Sequence, residues 1–133
     1  MSKVLLDTNI ISAFFKGNAA VIQAASSYAK RHKCLTYSII THYELLRGFK
    51  ALGSDKKLAA YRSFASQCEI LPLSEAVVEQ AASLYAELKI NGKLIEDADL
   101  LIAATALQKG YSLATDNEQH FRRIPTLKLQ NWL

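Results

Sequence analysis

Four carboxylates in separate segments of the sequence are the side chains best suited to chemistry. Asp7 ends a short apolar run, Asp116 follows another, Glu44 lies within a helical segment, and Asp99 begins the most apolar helical segment of the chain. Clustered carboxylates repel one another and are costly to bury, so a pocket that gathers them requires a cation. Oxygen ligands without His or Cys favour a hard ion, and we therefore predict a site for Mg²⁺, with Mn²⁺ also possible.

Each of these acids also has a purely structural interpretation. Asp7 and Asp116 can each cap a following helix with their side-chain oxygens. Glu44 can form an ordinary ion pair with Arg47, one turn further along the helix. Asp99 can simply favour the positive end of its helix. The residue types alone leave both interpretations open at every position.

No other pattern points to a different chemistry. His32, His42 and His120 lack the spacing of metal ligands and are expected to be surface or hydrogen-bonded side chains. Cys34 and Cys68 stand alone and are expected to be two reduced thiols in the core. The sequence contains no glycine-rich phosphate loop, nucleophile elbow or Ser/His pairing.

Basic residues are concentrated in the first half of the chain. Residues 1–66 carry ten Lys and Arg against three acids, a net charge of +7, whereas residues 67–133 carry six against nine, a net charge of −3. A basic surface favours a polyanionic partner, because Lys and Arg that neutralise phosphates release counterions. The alternative is a solvated basic face without a partner.

Strands and helices that alternate along the sequence are predicted to position the acids. Apolar runs predict strands at residues 4–6, 34–37, 69–71, 111–114 and 127–129. Helices are predicted over residues 10–16, 19–31, 39–51, 54–67, 74–90, 97–109 and 117–124. We expect the helices to be capped by Ser38, Ser54, Ser74, and Glu96 with Asp97. This alternation predicts an α/β fold whose parallel sheet is covered on both faces, with the site beyond the carboxyl ends of the strands.

The size and composition of the chain predict a packed globule. The 133 residues are 50% hydrophobic and 21% charged, which favours one domain over residues 1–133 and excludes intrinsic disorder. The longest apolar stretches, such as residues 100–107, fall short of the roughly 20 residues of a membrane helix. The N-terminal segment lacks the features of a secretory signal, and we expect a cytoplasmic protein.

Four segments, taken in order, resemble the motifs of the PIN domain. They are residues 5–11 (LLDTNII), 38–48 (SIITHYELLRG), 97–106 (DADLLIAATA), and 113–117 (LATDN) with Phe121 following. Order, spacing and length are similar to those of the single-domain toxins of the VapC type, over essentially the whole chain. The resemblance implies a three-layer α/β/α sandwich with a central, mainly parallel sheet and a metal-dependent endoribonuclease.

The same resemblance implies which residues form the site. Asp7, Glu44 and Asp99 match the acidic positions of the family, and Thr8 and Asn9 would support the first acid. A bound divalent ion would lower the pKa of a water molecule and neutralise charge on the phosphate oxygens. The implied products carry 5′-phosphate and 3′-hydroxyl ends.

The fourth position of the site stays open at this stage. The resemblance implies that Thr115 shapes the metal pocket, and family members commonly place Asp or Asn two residues after it. That position is Asn117, whereas the acid Asp116 comes one residue after the threonine. We favour Asp116, because it is the acid nearest the end of the predicted strand.

The resemblance also implies partners. Toxins of this type are homodimers, held inactive by a small antitoxin whose C-terminal segment packs into a groove near the site, and residues 39–49 are candidates for that groove. An RNA loop, from either transfer or ribosomal RNA, is the expected substrate, because single-stranded loops expose their phosphates. Basic residues near the turn at Gly53 are candidates for holding the RNA backbone: Lys50, Lys56, Lys57 and Arg62.

Three alternative functions fit the sequence less well. A phosphatase of the haloacid dehalogenase type needs a second Asp two positions after the first, where this chain has Asn9. A receiver domain needs paired acids at the first strand and a lysine after a late strand, and neither is present. The remaining alternative is a catalytically silent PIN-like module that binds RNA or a protein, which the intact acids argue against.

Overall fold

Short parallel strands form the centre of the molecule. The computed structural model describes residues 3–133. Its strands are β1 (Val4–Leu6), β2 (Thr36–Ser38), β3 (Glu69–Leu71), β4 (Ser112–Ala114) and β5 (Leu129–Gln130). Every pairing among them is parallel: β1 with β4, β4 with β5, and β2 with β3. The sheet is divided into a three-stranded and a two-stranded piece, and β1 contacts β2 where the pieces meet.

Helices cover both faces of these strands. In the described chain they are α1 (Thr8–Phe15), α2 (Ala19–His32), α3 (Ile39–Leu52), α4 (Asp55–Ala65), α5 (Glu75–Ile90), α6 (Asp97–Lys109) and α7 (Glu118–Phe121). Successive side chains of a strand point to opposite faces. Accordingly Leu5 belongs to one core cluster, with the apolar residues of α5 and α6, while Val4 and Leu6 belong to another, with those of α1 to α4. The predicted three-layer α/β/α sandwich is confirmed.

Serine side chains begin three of the helices as predicted. Ser38 Oγ accepts from the backbone N–H of Thr41 at 3.1 Å, and Ser54 and Ser74 make the equivalent bond at 3.2 Å. Glu96 occupies the N-cap position of α6, but its side chain makes no capping hydrogen bond. The expected cap by the side chain of Glu96 is therefore wrong, although its charge still lies at the positive end of the helix.

Two predicted elements near the C-terminus are displaced. The short helix ends at Phe121 rather than near residue 124. Single turns, closed by the backbone bonds from Arg123 to His120 and from Ile124 to Phe121, continue it as far as Pro125. The last strand is Leu129–Gln130 rather than residues 127–129. Leu127 is buried in the core without joining a strand, so its hydrophobicity is satisfied by packing.

Two further expectations concern burial. The middle of α6, residues 102–106, is buried throughout, as its apolar composition predicts. Cys34 and Cys68 are free thiols, as expected, but both are only partly buried, and Cys68 packs against the core cluster of α1 to α4 rather than within it. Within residues 3–133, no helix combines the length and the apolar character needed to cross a membrane.

Candidate active site

Asp7 and Thr115 meet at the carboxyl ends of β1 and β4. These strands are parallel neighbours, with Leu6 opposite Ala114. The backbone N–H of Asp7 extends the pairing by donating to the Ala114 carbonyl at 2.9 Å. Asp7 and Thr115 therefore leave the sheet side by side, at the edge where sites of parallel sheets form.

Asp7 is a buried carboxylate that is held at both oxygens. Its Oδ1 accepts from the backbone N–H of Thr8 at 2.8 Å, and its Oδ2 accepts from the Thr115 hydroxyl at 2.8 Å. The side chain also caps α1, so the structural interpretation holds together with the location in the site. The pKa of Asp7 is raised to about 6, chiefly by burial and in smaller part by the nearby Asp99 and Glu44, against the lowering effect of its hydrogen bonds. An uncompensated negative charge here is unfavourable, which is the condition that a cation relieves.

Thr115 connects Asp7 to the chain that follows β4. Its side chain is fully buried. While its hydroxyl donates to Asp7, the same oxygen accepts from the backbone N–H of Asn117 at 2.9 Å. One side chain thus fixes both the orientation of Asp7 and the course of the backbone through residue 116.

Glu44 reaches the site from α3 through Thr8. Its Oε1 accepts from the Thr8 hydroxyl at 2.6 Å, and Thr8 Oγ1 also lies 3.1 Å from the hydroxyl of Thr41. Glu44 Oε2 lies 3.8 Å from an Arg47 guanidinium nitrogen, which is the intrahelical pair expected from the sequence. The ion pair with Arg47 is therefore present, and the other oxygen of the same carboxylate is held by Thr8 at the cavity wall.

Asp99 enters from the first turn of α6. Burial raises its pKa, and the negative charges of Glu44 and Glu96 raise it further, while His120 lowers it. Its Oδ2 lies 3.8 Å from Nδ1 of His120. The sequence does not predict a role for this histidine in the site. Its signal is the spacing of three residues from Asn117, whose Nδ2 lies 2.9 Å from the same His120 nitrogen.

Asp116 and Asn117 both reach the site, by different contacts. The exposed Asp116 accepts a hydrogen bond from the Asn9 amide through Oδ1. Asn9 Oδ1 is buried and has no hydrogen-bond partner in the described chain. Asn117 is partly buried and contacts His120 instead. Because both side chains line the same cavity, either Asp116 or Asn117 could supply the fourth oxygen ligand of a cation.

These side chains line one cavity of about 480 Å³. Seven of the eight predicted site residues line it: Asp7, Thr8, Asn9, Glu44, Asp99, Asp116 and Asn117. The eighth, Thr115, is buried behind Asp7. Small side chains of α1, Ser12 and Ala13, also line the cavity and were not predicted; their signal is the helical spacing from Thr8 and Asn9.

The donor atoms of the cavity suit a hard divalent ion. Its wall offers the oxygens of carboxylates and the unpartnered Asn9 oxygen, and burial raises the pKa of Asp7 and Asp99. Within residues 3–133, no three His, Cys, Asp or Glu side chains are already grouped closely enough to hold an ion. The arrangement is therefore open, and the carboxylates would have to draw together around a bound cation.

An apolar groove adjoins the acidic cavity. It has a volume of about 440 Å³ and its floor is formed by the side chains of α1, α3 and α4, including Phe15, Leu45, Phe49 and Leu52. Residues 44, 45, 48 and 49 of the predicted groove segment line it. Among the four predicted RNA-contacting basic residues, Lys57 lines this groove.

The sequence profile of the PIN domain family matches residues 4–127. The chain belongs to the PIN domain family. The four acids of the cavity thus lie within a PIN domain, as the sequence motifs indicate.

Similar proteins extend this assignment. The chain is 33% identical to Ribonuclease VapC1 of Methanocaldococcus jannaschii, over 97% of its own length and 86% of that protein. It is 28% identical to the tRNA(fMet)-specific endonuclease VapC of Shigella flexneri, over 99% of both chains. The DNA-bound VapBC structure from Salmonella typhimurium matches the whole of both chains with a TM-score of 0.89 and 28% identity. The sequence matches thus cover nearly the whole of this chain, and the match to the Salmonella structure shows a shared fold.

Proposed function

We propose that this chain is an endoribonuclease of the VapC type, the toxin of a toxin–antitoxin module. The observation that carries this proposal is the single cavity into which separate elements bring Asp7, Glu44, Asp99 and Asp116. Its similarity to Ribonuclease VapC1 over almost the full chain supports the same activity. Hydrolysis of an RNA phosphodiester is the reaction that such a cluster of acids serves.

Mg²⁺, or Mn²⁺ in its place, is the proposed cofactor. Asp7, Glu44, Asp99 and Asp116 would hold the ion, because they supply the hard oxygen ligands of the cavity. When bound, the ion supplies Lewis acidity and a water molecule of lowered pKa. The raised pKa values of Asp7 and Asp99 support this proposal, because a cation would favour the ionised form of both groups.

The chain's own residues have distinct parts in this proposal. Thr8 and Thr115 orient Asp7 by their two hydrogen bonds, and Thr8 also orients Glu44. Asp99 is less buried than Asp7, with 20% of its side chain exposed, so an attacking water can reach its carboxylate. The resemblance to the family implies a 5′-phosphate and a 3′-hydroxyl on the products.

Transfer RNA is the substrate class that we favour over ribosomal RNA. The Shigella relative, which this chain matches over nearly its full length, is named for its action on a tRNA. The basic first half of the sequence suits an RNA partner, and an anticodon loop exposes single-stranded phosphates to a cavity of this size. An exposed ribosomal loop offers the same chemistry and is the second substrate to test.

The apolar groove is the proposed binding site of an antitoxin. It adjoins the acidic cavity and shares Thr8 and Glu44 with it, so a peptide bound there would block access of RNA. Its phenylalanine and leucine lining suits apolar side chains of a short peptide. The similarity to the VapBC structure supports a partner chain of this kind.

A homodimer is proposed through α5. Val78 and Tyr85 are 47% and 40% exposed, and their spacing of seven residues places them on one face of the helix. Sedimentation of the free chain should give a dimer, and a Val78→Asp/Tyr85→Asp double variant should sediment as a monomer. A monomeric parent chain would contradict this assembly.

One experiment tests the proposed activity directly. The purified chain is incubated with total tRNA and with ribosomal RNA, with Mg²⁺ or with EDTA, and the cleaved ends are mapped by sequencing. We expect cleavage at discrete sites by the parent and by Asp55→Asn, which alters an exposed acid at the start of α4. Asp7→Asn should leave the RNA intact. RNA that is bound but never cut by the parent would favour the catalytically silent module instead.

We also propose a single domain and a cytoplasmic location for the protein. The family match over residues 4–127 favours one PIN domain for the whole of residues 1–133. An activity on tRNA or ribosomal RNA requires a cytoplasmic location, which fractionation of cells that express the chain would test.

A further inference from the structure

Lys16 stands out among the basic residues because it lines both the acidic cavity and the apolar groove. In the described chain it is the only Lys or Arg on the wall of the acidic cavity. The side chain is exposed and makes no ion pair with any carboxylate of residues 3–133. A cation beside several acids that pairs with none of them is available to a ligand.

Helix α1 explains how Lys16 reaches this position. Asn9, Ser12 and Lys16 are separated by three and four residues, which places them along one face of the helix. The axis rises about 10 Å between residues 9 and 16. Ser12 and Ala13 lie between them and are small, so they leave an open path from the carboxylates to the lysine.

The negative charge of the acidic cavity indicates what Lys16 can do there. Carboxylates repel the phosphates of an RNA strand, so a strand that enters the acidic cavity gains from a cation on the flank. Lys16 is the cation that the cavity wall offers, and its offset along α1 separates it from the reacting atoms. On the basis of the proposed function, we propose that Lys16 binds the RNA phosphate next to the one that is cleaved, where the cavity meets the groove.

This assignment predicts a role in binding rather than in the chemical step. A phosphate contact holds a strand in register and contributes to binding of every sequence alike. Lys16→Ala should therefore raise KM about 3- to 10-fold and leave kcat nearly unchanged, because one phosphate contact is lost in both ground and transition states. Lys16→Arg should retain most of the affinity, since it keeps the positive charge.

The salt dependence of binding separates a phosphate contact from a structural effect. The affinity for a labelled single-stranded RNA is measured at several salt concentrations with Mg²⁺, in an Asp99→Asn background that prevents cleavage. Loss of one phosphate contact from a single strand reduces the slope of log K against log salt by about 0.7. Lys109→Ala is the matched control, since this exposed lysine also ends a helix but lines neither cavity.

Three outcomes would overturn the assignment. An unchanged slope and KM in Lys16→Ala, with a parent enzyme that cuts RNA, would remove Lys16 from the substrate path and leave the proposed activity intact. A loss confined to kcat would place Lys16 at the reacting atoms instead. A parent chain that neither binds nor cuts RNA would overturn the proposed function itself, and the role of Lys16 with it.

Discussion

The Thr115 hydroxyl donates to Asp7 Oδ2 at 2.8 Å, although 108 residues separate the two in the sequence. The parallel pairing of β1 with β4 makes this contact possible, because it sets Leu6 opposite Ala114 immediately before them. A buried carboxylate that accepts two hydrogen bonds is held in one orientation. The geometry of the site therefore depends on strand register as much as on the acids.

Replacing Thr115 by valine should impair the site more than the fold. Thr115→Val keeps the shape of the side chain but removes the donor to Asp7 and the acceptor for Asn117. We expect cleavage to fall at least 10-fold and the free energy of unfolding to fall by about 1–3 kcal/mol, the cost of buried groups left without partners. Initial rates of RNA cleavage and urea unfolding measure the two effects.

Thr105→Val is the matched control for this substitution. Thr105 is also buried, but its hydroxyl donates only to the Leu101 carbonyl of its own helix at 2.8 Å. Thr105→Val should lower the free energy of unfolding without a specific loss of RNA cleavage. Equal activity losses in both variants would contradict a special role for the contact between Thr115 and Asp7.

The sequence predicted the elements that place the acids, because those elements follow from local rules. The serine caps at residues 38, 54 and 74 and the apolar runs before Asp7 and Thr115 are signals within a few residues. Alternation of strands and helices then placed Asp7 and Asp116 at the same sheet edge. Glu44 and Asp99 are candidates from their places in helical segments, and the PIN-like motifs imply that they join the same site.

The features that were missed depend on contacts between distant parts of the chain. Strand β5 has only two residues, and its register is decided by pairing with β4 rather than by its own hydrophobic pattern. His120 lies beside Asp99, which belongs to another helix, so its contact with the site is not a local signal. Lys16 resembles any exposed lysine in sequence, and only the cavity shows what it faces.

Asp7 should make the stability of the metal-free protein depend on pH. Burial raises its pKa in the folded state from 3.8 to about 6. The folded state therefore favours the protonated form, so this contribution to stability is complete below pH 4 and is lost as the pH rises to about 6. Asp7→Asn should be more stable than the parent by roughly 1–3 kcal/mol at pH 7, with no advantage near pH 3.5.

Urea unfolding in EDTA across this pH range checks the pH dependence. Asp55→Asn, at an exposed position, serves as the control and should follow the parent curve. A parent protein whose stability does not fall between pH 4 and 6 relative to Asp7→Asn would show that Asp7 carries no such penalty.

Removal of divalent metal should abolish cleavage. Activity should disappear in excess EDTA and return with Mg²⁺ or Mn²⁺, because the cavity offers hard oxygen ligands. Asp7→Asn, Glu44→Gln and Asp99→Asn should each lower cleavage by at least 100-fold while circular dichroism stays that of the parent. Cleavage that persists without metal would falsify the metal mechanism, and parental turnover by any one variant would remove that residue from the ligand set.

The last prediction concerns the fourth ligand, for which Asp116 and Asn117 compete. A carboxylate offers a divalent ion a full charge, whereas an amide offers only a dipole. Asp116 is held by the Asn9 amide, while Asn117 contacts His120. We therefore expect Asp116→Asn to weaken Mn²⁺ affinity by about 10-fold or more, a loss of roughly 1.4 kcal/mol, and Asn117→Ala to have the smaller effect.

Calorimetric titration of both variants with Mn²⁺ decides between the two residues. The Mn²⁺ affinity of Asn117→Asp is measured as well, because this variant adds a negative charge at the position that the family spacing favours. If Asn117 is the ligand, Asn117→Ala should be the damaging change and Asn117→Asp should be tolerated. Unchanged Mn²⁺ affinity in Asp116→Asn, with its fold intact by circular dichroism, would exclude Asp116 and leave the oxygen of Asn117 to complete the site.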